Sequence, residues 1–172
     1  MVKNNIILIG MPGSGKTTVA KELGKILNKK IIDIDEEIEK EAKLSINNIF
    51  DDFGEDYFRE LEKNMINKIS KLNNVIISTG GGAVLNKDNM ENLKRSGKII
   101  FLNRSFENIS KACHKDRPLL KDNEKKLEDI FNYRQEYYKL YADFTVENNS
   151  KVTNVTKKII SLLTSNVIGE NE

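Results

Sequence analysis

Gly10-Met11-Pro12-Gly13-Ser14-Gly15-Lys16-Thr17 is the stretch on which the reading of the fold turns. It fits G-x-x-x-x-G-K-[ST]. A β-branched apolar run, residues 5–9, stops at Gly10, and a helical pattern opens at Lys16. The glycines let the loop wrap with its N–H groups pointing inward, and the helix behind adds the positive end of its dipole. Lys16 can then reach the β- and γ-phosphates, while the Thr17 hydroxyl can ligate Mg²⁺. A nucleoside triphosphate site follows, formed by Pro12, Gly13, Ser14, Gly15, Lys16, Thr17 and Thr18. The motif does not say where the γ-phosphate goes.

Working outward, apolar runs like 5–9 recur at 30–34, 75–77, 98–102 and 143–147. Such runs suit strands buried on both faces of a parallel sheet. Helix-period stretches lie between or after them at 16–28, 36–44, 55–72, 87–96, 124–141 and 151–164. The alternation predicts an α/β domain with a mostly parallel sheet. Residues 35–72 hold three helical segments, the middle one with Ser45 as N-cap. Residues 112–123 are polar, contain Pro118 and show no periodicity. Both insertions should follow strand C-termini, where open α/β sheets bind ligands. The last eight residues, 165–172, are expected to form a frayed tail.

The chain has 172 residues, which is one domain at roughly 100–200 residues per domain. Lys and Arg total 28 against 26 for Asp and Glu, a net charge of +2, so nothing in the charge balance points to nucleic acid or an anionic membrane. Only five of the basic residues are arginine: Arg59, Arg95, Arg104, Arg117 and Arg134. One Cys (Cys113) and one His (His114) rule out a disulfide framework and a His-rich metal site. No run approaches about 18 consecutive apolar residues, and the N-terminus carries no signal-peptide pattern, so a cytoplasmic protein is expected.

Other motifs bear on what the triphosphate is for. A guanine-nucleotide switch needs a base-reading N-K-x-D, and Asn86-Lys87-Asp88-Asn89 places its Asp one residue early. Asp51-Asp52-Phe53-Gly54 has D-x-x-G spacing but falls in a helical insertion, so a switch is disfavoured. The second strand ends in Asp33-Ile34-Asp35, whose carboxylates should point the same way at the end facing the nucleotide. They suit a Mg²⁺ shell and an acceptor hydroxyl; the plainer reading is that Asp35 caps the next helix. Arg59 and Glu62 stand three apart on one helix face. They are either a surface ion pair or an Arg held by Glu62 to grip a carboxylate. Gly80-Gly81-Gly82 follows a buried strand, and three glycines exceed what a flexible turn needs.

Taken together, these residues resemble the shikimate kinase family over roughly residues 5–160. The resemblance rests on the loop 10–17, Asp33-Ile34-Asp35, Phe58-Arg59-Glu60-Leu61-Glu62, Thr79-Gly80-Gly81-Gly82, Arg117-Pro118-Leu119-Leu120 and Arg134 in Tyr133-Arg134-Gln135-Glu136-Tyr137-Tyr138. It implies a nucleoside-monophosphate-kinase-like P-loop fold: a five-stranded parallel sheet in order 2-3-1-4-5, a substrate-binding helical region at about 36–64 and a mobile lid at about 112–123. It also implies transfer of the ATP γ-phosphate to the 3-hydroxyl of shikimate, in chorismate and aromatic amino-acid biosynthesis, with Mg²⁺ as cofactor and a monomer as the working form.

Carried over by position, Asp35 would bind the acceptor hydroxyls. Arg59, Gly81 and Arg134, with Gly80 and Gly82 alongside, would hold the carboxylate end. Lys16, Asp35 and Arg117 would be catalytic, Arg117 arriving on the phosphates with the lid. The metal would sit on Thr17 and, through water, Asp33. Phe50 and Phe58 would wall the ring, or else serve the core. Members usually open the lid with an Arg stacked on adenine; the nearest basic residue here is Lys111, and the adenine contact after the fifth strand would fall near 149–151. Rival readings are a gluconate-type or nucleotide kinase, and a non-catalytic ATP-binding module.

Overall fold

The computed structural model describes residues 4–116 and 124–169. Five strands form one all-parallel sheet: β1 (Asn5–Ile9), β2 (Lys30–Asp33), β3 (Val75–Ser78), β4 (Gly97–Asn103) and β5 (Phe144–Glu147), in order β2-β3-β1-β4-β5. The predicted order is therefore the observed one. Strand pleat explains the unbroken apolar runs of the inner strands β1, β3 and β4. Ile7 and Ile9 of β1 face one layer with Ile77, Ile99 and Phe101, while Ile6 and Leu8 face the other with Ile76, Ile100 and Leu102. A parallel strand in mid-sheet must bury both faces, so alternation is absent from its sequence.

Seven helices cover the sheet among the described residues: α1 (Lys16–Leu27), α2 (Ile34–Ala42), α3 (Ile46–Ile69), α4 (Lys87–Ser96), α5 (Phe106–Asp116), α6 (Glu124–Tyr141) and α7 (Val152–Gly169). Helices α1 and α7 cover one face through Val19, Leu23, Val155 and Ile159. The other face is covered through Ile38, Phe58, Met65, Leu93 and Tyr138, from α2, α3, α4 and α6. Each buried Ile or Leu contributes about 1.5–3 kcal/mol, which makes these two layers the main source of stability.

The insertion between β2 and β3 has the expected three segments. Ser45 caps the second, accepting from the Asn48 N–H at 3.2 Å. The second and third run together as α3, broken only at Gly54 (φ 83°, ψ 174°). Two sequence expectations need correcting. Residues 112–116, read as lacking helical periodicity, are the last turn of α5, whose apolar side merges into a polar continuation; 117–123, including Arg117, lie outside the described residues. The expected tail, 165–172, is helical as far as Gly169, where α7 ends, and 170–172 lie outside the described residues.

Candidate active site

The phosphate loop leaves β1 and wraps onto α1. Gly13 (φ 77°) and Gly15 (φ 90°) occupy left-handed backbone, where a side chain would strain the turn. Gly15 is also the N-cap of α1 and offers no side-chain cap, and the first turn has no acidic residue. The leading N–H groups of α1 are thus left for an anion. Lys16 is buried; its Nζ donates to Gly10 O at 2.8 Å and Met11 O at 2.9 Å. Burial lowers its pKa to about 8, against the pull of the Asp35 and Asp33 carboxylates.

Thr17 Oγ1 donates to Asp33 Oδ2 at 3.1 Å. The other oxygen, Asp33 Oδ1, accepts from the N–H groups of Asp35 (3.1 Å) and Glu36 (3.4 Å). So Asp33, not Asp35, caps α2, and the capping role weighed for Asp35 falls away. The expected strand alternation does not extend to Asp35 either, because β2 ends at Asp33 and Asp35 lies in the first turn of α2. The helical turn, rather than the pleat, brings both carboxylates towards Lys16.

Asp35 Oδ1 is buried and has no hydrogen-bond partner among the described residues; the same holds for Glu62 Oε1. Both aim at one spot: a Cβ on Gly80 would lie 2.8 Å from each. Burial, then the neighbouring Asp33 and Glu62, raises the Asp35 pKa to about 6, with Lys16 opposing. Burial also raises that of Glu62, Arg59 opposing. Glu62 Oε2 holds Arg59 at 2.8 Å, and Glu55 adds a second hold at 2.9 Å. The pair is therefore not a surface ion pair, since the Glu62 side chain is only 1% exposed.

Each glycine of the triplet has its own reason. Side chains at Gly80, Gly81 and Gly82 would meet, respectively, the two orphaned carboxylate oxygens, the Pro12 ring and the Arg59 guanidinium. The triplet is the floor on which loop, α2 and α3 converge. Tyr138, to which the sequence reading gave no role, fixes that floor: its hydroxyl donates to Gly81 O at 2.6 Å and its ring stacks on Phe101. Arg134, one turn earlier on α6, lies beside that hydroxyl and acts electrostatically on Glu62 and Lys16. Phe58 is core, with Phe50 half-buried 4.7 Å from its ring centroid.

A second hollow, about 340 Å³, opens behind the loop and is lined by Gly15, Thr18, Arg104, Asn108, Asn148 and Asn149 among others. Lys111, the basic residue expected near the base, is exposed and does not line it. Asn148 Nδ2 donates to Ser14 O at 2.6 Å, tying the β5–α7 loop to the phosphate loop. Neither Arg104 nor Asn148 was legible as a site residue, since polar residues after strand ends are common in loops.

Sheet order, phosphate loop and a carboxylate facing the loop lysine define a P-loop kinase acting on a small molecule. A family model described as Shikimate kinase matches residues 12–164, and the chain belongs to that family. It is 44% identical over 163 residues to the shikimate kinase of Caldicellulosiruptor saccharolyticus, covering 92% of this chain and 94% of that protein. Identity to the shikimate kinase of Persephonella marina is 42% over 149 residues, covering 86% and 90%. The solved structure of a shikimate kinase from Acinetobacter baumannii in complex with shikimate superposes with a TM-score of 0.90 at 34% identity, covering 95% and 94%. The chain is accordingly an ATP-dependent kinase, and its reaction is transfer of the ATP γ-phosphate to shikimate, giving shikimate 3-phosphate and ADP.

Proposed function

We propose that Asp35 receives the 3-hydroxyl of shikimate, with Arg59 and Arg134 holding the carboxylate at the opposite end and Gly80, Gly81 and Gly82 providing the floor. The observation that carries this is the orphaned Asp35 Oδ1, a buried acceptor without a donor among the described residues, near the loop lysine and the Glu62 that anchors Arg59. A substrate hydroxyl would satisfy it. The arginine fork suits a planar carboxylate at the far end.

ATP would place its phosphates on the N–H groups of 13–17, with Pro12 and Thr18 flanking, and its nucleoside in the hollow behind the loop. Lys16 would exchange its carbonyl partners for the β- and γ-phosphates. Thr17 and Asp33 present two hard oxygens side by side at the loop mouth, which fits Mg²⁺, an ion that keeps water and phosphate in its shell. Bound there, the ion would neutralise phosphate charge. Phosphoryl transfer has a loose transition state, so positioning and charge neutralisation carry most of the catalysis. Asp35 would orient the hydroxyl and take its proton late. Arg117, in the proposed lid 112–123, would add charge and exclude water. The substrate region would be 36–64 within a single domain spanning 1–172, working as a monomer in the cytoplasm. No helix among the described residues is long and apolar enough to cross a membrane.

The test is a binding comparison between shikimate and its carboxamide. Charge-assisted bonds to the arginines, worth about 1.5–3 kcal/mol, should make the acid bind at least tenfold tighter. Arg59→Lys keeps the charge but loses the fork, and should narrow that gap with little change in ATP affinity. Equal wild-type affinity for acid and amide would refute the arrangement.

A further inference from the structure

We infer that Arg104 positions the nucleobase of ATP, donating from Nε to the nucleoside and laying its guanidinium face against the ring. The inference rests on the placement of ATP given above and adds a residue specific to the base. Arg104 follows β4 directly, and its Nη1 donates to Gly13 O at 2.7 Å, which pins the side chain against the phosphate loop. Its Nε is buried and has no partner among the described residues. A buried, unpaired N–H is costly, and Arg104 lines a hollow of about 340 Å³. That volume lies in the range of small-ligand sites.

The lining identifies the chemistry. Arg104 is its only charged side chain among the described residues; the rest are Gly15, Thr18, Val19, Ser150, Val152 and the three amides of Asn108, Asn148 and Asn149. One cation whose Nη1 is already engaged does not make a second phosphate site. Neutral amides between two valines suit a flat heteroaromatic ring with mixed donors and acceptors. Part of the amide set is held in place: Asn149 Oδ1 accepts from Ser105 N at 3.0 Å and from Asn108 Nδ2 at 3.2 Å, and Asn148 Nδ2 is bound to Ser14 O. The Asn108 and Asn148 carbonyls accept no hydrogen bond from the described residues, and so can receive an exocyclic amine. Gly15 joins this hollow to the N-terminus of α1, so phosphates in the loop place the nucleoside here. Arginine is suited to such a wall because its planar face stacks on aromatic rings while its edge still donates.

The experiment must separate a base contact from mere support of Gly13. Arg104→Gln and Arg104→Lys are titrated with ADP and with inorganic tripolyphosphate, each with Mg²⁺, and with shikimate as a check on folding. Both variants should lose about tenfold or more in ADP affinity, the loss expected when a charged donor is removed. Tripolyphosphate, which has no base, should change less than about twofold on the same reasoning. The ratio of kcat/KM for ATP over CTP should fall in both variants. Lysine retains the charge without the plane, so it should not rescue. Parallel loss of ADP and tripolyphosphate affinity would make Arg104 a prop for the loop and overturn the inference, as would full rescue by lysine or unchanged ADP affinity. Failure of the wild type to bind ADP while binding tripolyphosphate would overturn the ATP placement itself.

Discussion

Asp35 and Lys16 titrate on opposite sides of neutrality, and the proposed roles need both charged. Asp35, raised to about 6, is an effective acceptor only above that pH; Lys16, lowered to about 8, carries its proton only below it. The pH profile of kcat/KM should therefore be bell-shaped, with limbs near pH 6 and pH 8 belonging to the free enzyme. Asp35→Asn should abolish most turnover, and Lys16→Met should do the same by removing a cation from the transferring phosphate; rates across pH 5–9 check the profile. Gly82 offers a sharper residue-level test. A methyl there would push into the Arg59 guanidinium, so Gly82→Ala should raise the KM for shikimate about tenfold or more, the cost of a charged hydrogen bond lost, while that for ATP stays put. Both glycine and arginine were visible in the sequence. Their contact was not, because 22 residues, a strand among them, lie between the two and only the fold closes the distance.

At the scale of elements, the strands were legible because a parallel sheet demands continuous apolar runs. Helix α6 was read at its observed ends, 124–141. Helix α5 was missed because its apolar side, Ile109 and Cys113, merges into a polar stretch and carries no clear stop signal. The start of α2 was misplaced for a related reason: Asp33 serves at once as strand end, helix cap and partner of Thr17, and propensity cannot divide one residue among three roles. Gly54 is the element whose strain can be measured. Nothing lies within 4 Å of a Cβ placed there, so sterics are irrelevant, yet φ 83° with ψ 174° is a region reserved for glycine. Gly54→Ala should cost about 1–3 kcal/mol through backbone strain alone. Gly54→Asn should fare no better, since asparagine favours ordinary left-handed backbone rather than this extended mirror region. Thermal denaturation of both variants settles the point, and a negligible loss in either would mean that α3 straightens without cost.

The whole molecule carries its active site at the expense of its stability. Two orphaned carboxylate oxygens and a buried ammonium are held in place by a sheet whose two apolar layers outweigh them. The sign for Asp35 is definite. Its folded pKa of about 6 lies above the unfolded carboxylate value, so the folded state binds the proton more tightly. The associated stability is fully present below the unfolded value, about pH 4, and is lost as the pH rises through about 6. At pH 7 the penalty is about 2–3 kcal/mol. Asparagine at this position resembles the protonated acid and escapes it. Asp35→Asn should thus be more stable than wild type at pH 7, by roughly 5–10 °C in Tm for a chain of this size, while being nearly inactive. The advantage should shrink as the pH is lowered and be largely gone near pH 4, where the wild-type carboxyl is neutral too. Removing Lys16 should enlarge it, because the ammonium is what draws the Asp35 pKa down, so Lys16→Met and Asp35→Asn should be non-additive in a double-mutant cycle at pH 7. Unfolding curves of the four proteins at pH 4, 5.5 and 7 measure all of this, and an Asn variant no more stable than wild type at pH 7 would show that Asp35 is solvated rather than buried at the meeting point of loop, α2 and α3.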